Sequence, residues 1–152
     1  MGFVIIVLFM TILYGRLGVV ASFALVLYTL FVLSIFKLSS ITPYGITLTL
    51  SGIAGFILSI GMAVDANILI FERMKEELRM GKAKETAIEL GFSRAWTSIR
   101  DSNISTLITS FVLYAFGTGI VKGFALVLAI GVLVSMFSAI VVTRTFLRLV
   151  YK

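Results

Sequence analysis

The chain has 152 residues, of which 60% are hydrophobic and 13% charged, with a mean hydropathy of +1.14 and a formal charge of +6. A soluble domain carries roughly 45–50% apolar and about 25% charged residues, and a chain this short has too much surface to hide the excess. Composition therefore argues against a soluble enzyme, a nucleic-acid-binding domain or a disordered tail, and zero Cys and zero His remove disulfides, thiolate nucleophiles, Cys/His metal sites and histidine proton relays.

Apolar runs separated by short polar breaks predict an all-α integral membrane protein, a bundle of about five transmembrane helices with no competing β alternation. The predicted spans cover residues 2–15, 17–36, 46–71, 102–120 and 123–143, with a polar stretch at 72–100 between the third and fourth. A helix crossing about 30 Å of hydrocarbon needs roughly 20 residues. The first run falls short of that and reads as the remainder of a longer span, so the chain is expected to be truncated at its N-terminus. The central stretch reads as two short helices, broken at Gly81 and closed at Gly91. They form either an amphipathic segment in the membrane interface, anchored by Trp96, or a solvated helical hairpin.

Basic residues are distributed unevenly among the breaks. Arg16, seven in the central stretch, and Arg144, Arg148 and Lys152 fall on one side, against Lys37 and Lys122 on the other, an 11-to-2 bias. The positive-inside rule then places the N-terminal residue outside and the central loop and C-terminus in the cytoplasm. The central stretch also carries five glutamates, so it is a mixed-charge surface and not a phosphate-binding patch.

Asp65 stands out because it interrupts an otherwise apolar span. A carboxylate there costs roughly 2.5–3.5 kcal/mol on insertion scales, and such residues usually face a bundle interior and serve ion pathways. The chain offers no Lys or Arg deep in any span to neutralise it. Gly61 and Asp65 share a helical face, with Gly52 and Gly55 above and Glu72 below, and small residues there predict close contact with a neighbouring helix. Asn67 points about 200° away, toward an interhelical hydrogen bond or a transport role. Ser102, Ser105, Thr106, Thr109 and Ser110 form a hydroxyl stripe on the fourth run, below Asp101, Ser102 and Asn103. The stripe could line a hydrated path beside Asp65, with Asn67, Asp101, Asn103 and Thr106 in supporting roles. Alternatively, its hydroxyls join helices, and Asp101 or Ser102 caps one. Gly131, Ser135 and Ala139 mark a small-residue contact seam.

The thirteen residues Gly61-Met62-Ala63-Val64-Asp65-Ala66-Asn67-Ile68-Leu69-Ile70-Phe71-Glu72-Arg73, then Lys75-Glu76-Glu77, resemble the signature of the SecD/SecF family of protein-export membrane subunits, in the resistance–nodulation–division superfamily. Ile99 to Leu107, Gly117 to Ala125 and Ser135-Met136-Phe137 are similar to further motifs of that family. Ile120 stands where the family commonly has Pro, and the family's first span and large extracytoplasmic domain are not in this chain. The resemblance implies a six-span half of which about five spans are present. It also implies a homologous SecF-like partner, association with the SecY-E-G channel, and an unfolded preprotein as substrate. The implied energy source is a proton gradient acting through Asp65, with no cofactor, no metal and no enzymatic step. From the residues alone, a stand-alone proton-coupled exporter of lipids or small molecules, and a membrane scaffold with a merely buried acid, remain open.

Overall fold

The computed structural model describes residues 2–39 and 49–150; the first three residues of the expected third span, Met1 and Lys152 lie outside the described residues. The chain forms α1 (Gly2–Tyr14), α2 (Arg16–Ser39), α3 (Leu50–Arg79), α4 (Lys84–Phe116) and α5 (Gly119–Phe137). A π-helical stretch (Ser138–Thr143) then leads into α6 (Arg144–Val150). Among the described residues there is no strand. Three helical rods are long and apolar enough to cross a membrane: Arg16–Ser39, Leu50–Arg79 and Gly119–Leu149, of 24, 30 and 31 residues. With α1 and the apolar half of α4 they make an all-α, membrane-embedded, multi-pass bundle.

Local sequence explains the helix boundaries. Gly15 adopts φ 54° between α1 and α2, and Gly81 adopts φ 81° between α3 and α4, left-handed values that only glycine takes at little cost. Thr49 opens α3, its Oγ1 accepting from the Gly52 N–H at 3.1 Å, one of the side-chain caps that helix starts require. Gly117 closes α4 with its N–H on the Leu113 carbonyl.

The polar stretch at 72–100 differs from its sequence reading. Gly81 does break the chain, but Gly91 closes nothing: α3 continues to Arg79, and α4 runs from Lys84 through Gly91 to Phe116. A Cβ on Gly91 would come within 2.7 Å of the Met74 backbone. The missing side chain is what lets α3 and α4 cross closely there, so both helices stay in contact beyond the apolar runs and form one hairpin. For the same reason Asp101 and Ser102 lie in the middle of a helix and cap nothing.

The centre of the bundle is the crossing of α3 and α5. Buried Gly52, Gly55, Ser59, Ala63, Ala66 and Ile70 recur on α3 at spacings of three and four, the stripe of one helical face. A Cβ on Gly55 would meet the Phe124 carbonyl oxygen at 2.7 Å, and one on Gly131 would meet Ser59 at 2.4 Å. Tyr28 of α2 seals this crossing: its hydroxyl donates to Ser59 Oγ at 2.7 Å and lies 3.2 Å from the Gly131 carbonyl oxygen. Gly131, Ser135 and Ala139 are all buried, as a contact seam requires. Gly131→Ala should therefore destabilise the bundle by about 1–3 kcal/mol, the cost of overfilling a close contact, with Gly119→Ala, which meets no atom, as the neutral control. Reversible unfolding in mixed detergent micelles measures the difference.

Candidate functional site

Because α3 turns its small-residue stripe toward α5, Asp65 is left on another face. Gly52 and Gly61 are nine residues apart, about 180° round the helix, so the glycines do not form one contact stripe as expected. Gly52 and Gly55 are buried, whereas a Cβ on Gly61 would meet no atom at all. Asp65 follows Gly61 on that open side, and its side chain is exposed.

Asp65 borders a lateral cleft of about 230 Å³ between α3 and α4. Met62, Asp65, Ala66 and Leu69 form one wall, and Ser98, Ile99, Ser102 and Asn103 the other. Among the described residues Asp65 has no ion-pair partner. A carboxylate, a buried carboxamide and two hydroxyls facing one space can hold water and pass a proton, which apolar walls alone cannot do. Among the described residues no group of three carboxylates could hold a metal ion.

The cleft gathers some of the polar residues picked from the sequence and separates others. Asn103 is buried against it. Asp101 points outward and pairs with the adjacent Arg100 at 3.0 Å. Thr106 is half-buried, one turn beyond the cleft, with its hydroxyl donating to the Ser102 carbonyl at 3.1 Å. Ser105 and Thr109, both exposed, likewise donate to carbonyls four residues back. Asn67 lies on the far side of α3 from the cleft. There its Oδ1 accepts from Thr143 Oγ1 at 2.7 Å, with both residues buried. Periodicity assigned Thr143 no role, because its partner is 76 residues away.

Two ion clusters hold the charged end together. Glu77, buried at the α3–α4 turn, accepts from Lys82 and from Arg94 at 2.6 Å. Glu89 on α4 accepts from Arg144 at 2.7 Å and from Arg148 Nε at 3.1 Å. The Arg144 guanidinium also sits 5.0 Å over the Phe92 ring, and Phe92 stacks on Trp96. Neither cluster was apparent as a pairing in the sequence, since each joins residues from different helices or across the turn.

Acids within membrane-spanning segments are rare and usually face a bundle interior or a water-filled cavity. The chain belongs to the MMPL family, whose model matches residues 3–150. It is 53% identical over 149 residues to protein translocase subunit SecD of Synechocystis sp., covering 98% of this chain and 30% of that protein. It is 56% identical over 149 residues to SecD of Thermobaculum terrenum, covering 95% of this chain and 28% of that one. Among solved structures, SecDF from Thermus thermophilus, a translocon-associated membrane protein, matches with a TM-score of 0.90 at 44% identity, over 98% of this chain and 20% of that one. SecDF in a super-membrane-facing form matches with a TM-score of 0.85 at 46% identity, over 97% of this chain and 20% of that one. The chain thus spans about 30% of the length of the curated SecD relatives it matches.

The hydrogen bonds from Lys82 and Arg94 hold the Glu77 carboxyl below the ordinary glutamate pKa, against the opposing effect of burial. A depressed folded-state pKa stabilises the fold above the unfolded value, about 4.3 for glutamate, and that contribution disappears as pH falls through the folded value. The protection factor of amides at the α3–α4 turn, exchange rate taken relative to the intrinsic rate at each pH, should accordingly fall as pH drops below about 4.3, and Glu77→Gln should remove that pH dependence.

Proposed function

We infer that this chain is the gradient-coupled membrane part of a protein-export subunit, with Asp65 as the coupling carboxylate. The observation that carries this reading is the position of Asp65: an acid inside an apolar helix, without an ion-pair partner among the described residues, at a polar cleft. Asp65 lies six residues before Phe71, about 9 Å along the helix from the end of the apolar run. Protonation neutralises it and lets the bundle close around it. Loss of the proton restores a charge that demands water, and the cleft opens. Asn103, Ser98 and Ser102 hold the water through which that proton passes, and Thr106 extends the polar wall along α4. Each proton crossing the membrane field supplies about 2.3 kcal/mol per 100 mV, so many cycles accompany the export of one polypeptide.

The partners follow from the relatives and from the surface. SecD relatives and the SecDF structure support pairing with a homologous SecF-like membrane subunit. The apolar, hydroxyl-flanked outer face of α4, where Phe111 is 72% exposed, is a surface suited to another helix. The SecY-E-G channel and an unfolded preprotein complete the assembly, and neither a cofactor nor a covalent step enters the scheme. Orientation follows from the basic residues: the α3–α4 turn and α6 face the cytoplasm.

Asp65→Asn preserves shape but cannot release a proton. In sealed vesicles containing the complete export machinery, it should abolish the part of preprotein translocation that depends on the gradient while leaving gradient-independent translocation intact. Asp65→Glu should keep part of the response. Gradient stimulation equal to the parent's in the Asp65→Asn protein overturns the coupling role. For orientation, a Lys84→Cys probe should react with membrane-impermeant maleimide only in inverted vesicles or permeabilised cells, and labelling from outside sealed cells reverses the assignment.

A further inference from the structure

The two walls of the Asp65 cleft belong to different helices, α3 and α4, so the gap between them depends on what ties each helix to the rest of the bundle. Two consecutive residues, Thr143 and Arg144, reach one wall each. Thr143, with no exposed surface, donates to Asn67 on the back of α3 at 2.7 Å, two residues beyond Asp65. Arg144 donates to Glu89 on α4 at 2.7 Å, nine residues before Ser98 on the opposite wall. Arg148 adds a second hold on the same carboxylate, and the Phe92 ring lies under the Arg144 guanidinium at 5.0 Å.

Thr143 and Arg144 stand at the exit of the π-helical stretch Ser138–Thr143. Such stretches insert an extra residue into an α-helix, are uncommon, and occur frequently at functional sites. The insertion rotates α6 relative to α5. The α5 seam can therefore stay seated on Ser59 while Thr143 and Arg144 are aimed at α3 and α4. In an apolar medium a buried hydroxyl–carboxamide bond has no water to exchange with, and it fixes rotation of α3 about its axis, hence the direction in which Asp65 points.

We propose that the π-helical exit is a clamp on the Asp65 cleft, with Thr143 and Arg144 as positioning residues that hold α3 and α4 at the separation needed for coupling. This rests on the reading of Asp65 as the coupling carboxylate, but the clamp has its own readout. The chain itself contains no cysteine, so in a background where any cysteines elsewhere in the full-length protein and its export partners are replaced, spin labels at Leu69→Cys on the α3 wall and Thr97→Cys beside the α4 wall report the gap in the reconstituted assembly.

The expected result is a narrow distance distribution in the parent and in Thr143→Ser, which keeps the hydroxyl, and a broad or shifted one in Thr143→Val, which keeps only the shape. Gradient-dependent translocation should fall about fivefold to tenfold in Thr143→Val, the size expected from one buried hydrogen bond. Thr143→Ser should restore it, and gradient-independent translocation should not change. Glu89→Gln, on the accessible side, should give the same pair of effects from the α4 wall, and it carries the test if Thr143→Val fails to fold. Parental distances and parental gradient response in both Thr143→Val and Glu89→Gln overturn the clamp. An Asp65→Asn protein that keeps its gradient response overturns the coupling role instead, and leaves the clamp to be decided by the label distances.

Discussion

The close crossing of α3 and α5 is the contact on which the rest of the bundle depends. At Gly131 the α5 backbone lies so near α3 that a single added methyl would collide with the Ser59 side chain, and the Tyr28 hydroxyl closes the junction from α2. Helices in lipid gain little from burying apolar side chains, because the surrounding chains are equally apolar. Intimate backbone contact and satisfied polar groups therefore decide which faces meet, and here they commit the small-residue stripe of α3 to α5.

That commitment has a consequence for Asp65. A helix face turned toward α5 cannot also carry the acid, so Asp65 is displaced to the side where α4 leaves a lateral gap. The open space at Gly61 and the polar lining from Ser98, Ser102 and Asn103 belong to the same arrangement. A carboxylate sealed inside the α3–α5 seam would have no route for water; at the cleft it has one. Structural tightness in one direction and access in another come from a single helix presenting two different faces.

The charged end serves the same geometry. Long α3 and α4 extensions, held by Glu77 to Lys82 and Arg94, convert two helices into one hairpin reaching beyond the apolar runs. Glu89 ties that hairpin to α6 through Arg144 and Arg148. Glu89 thereby joins the helix that forms the wall opposite Asp65 to α6, and the Asn67–Thr143 hydrogen bond joins the back of α3 to the residue just before α6. The bundle is mechanically linked across the site by pairs from distant parts of the chain.

Much of this was legible in the sequence, for identifiable reasons. Hydropathy revealed the membrane class and the helical segments, because a span must be apolar over a fixed length. Asp65 was visible because an acid within such a run is costly wherever it ends up pointing, and Gly81 because a turn in the left-handed region calls for glycine. The motif strings around Asp65 and Asp101 pointed to SecD-like proteins, and the relatives agree. Tertiary structure decided what periodicity could not. Gly61 shares a face with Asp65 but not with Gly55, so the small residues split between a closed seam and an open side. Gly91 looked like a helix end and is a crossing point, because the backbone that needs the room belongs to Met74 on another helix. Asn67 and Thr143 meet across 76 positions, and nothing local to either residue records the other. Composition and hydropathy specify what a segment is; which face it shows to which neighbour depends on contacts that exist only once the helices have come together.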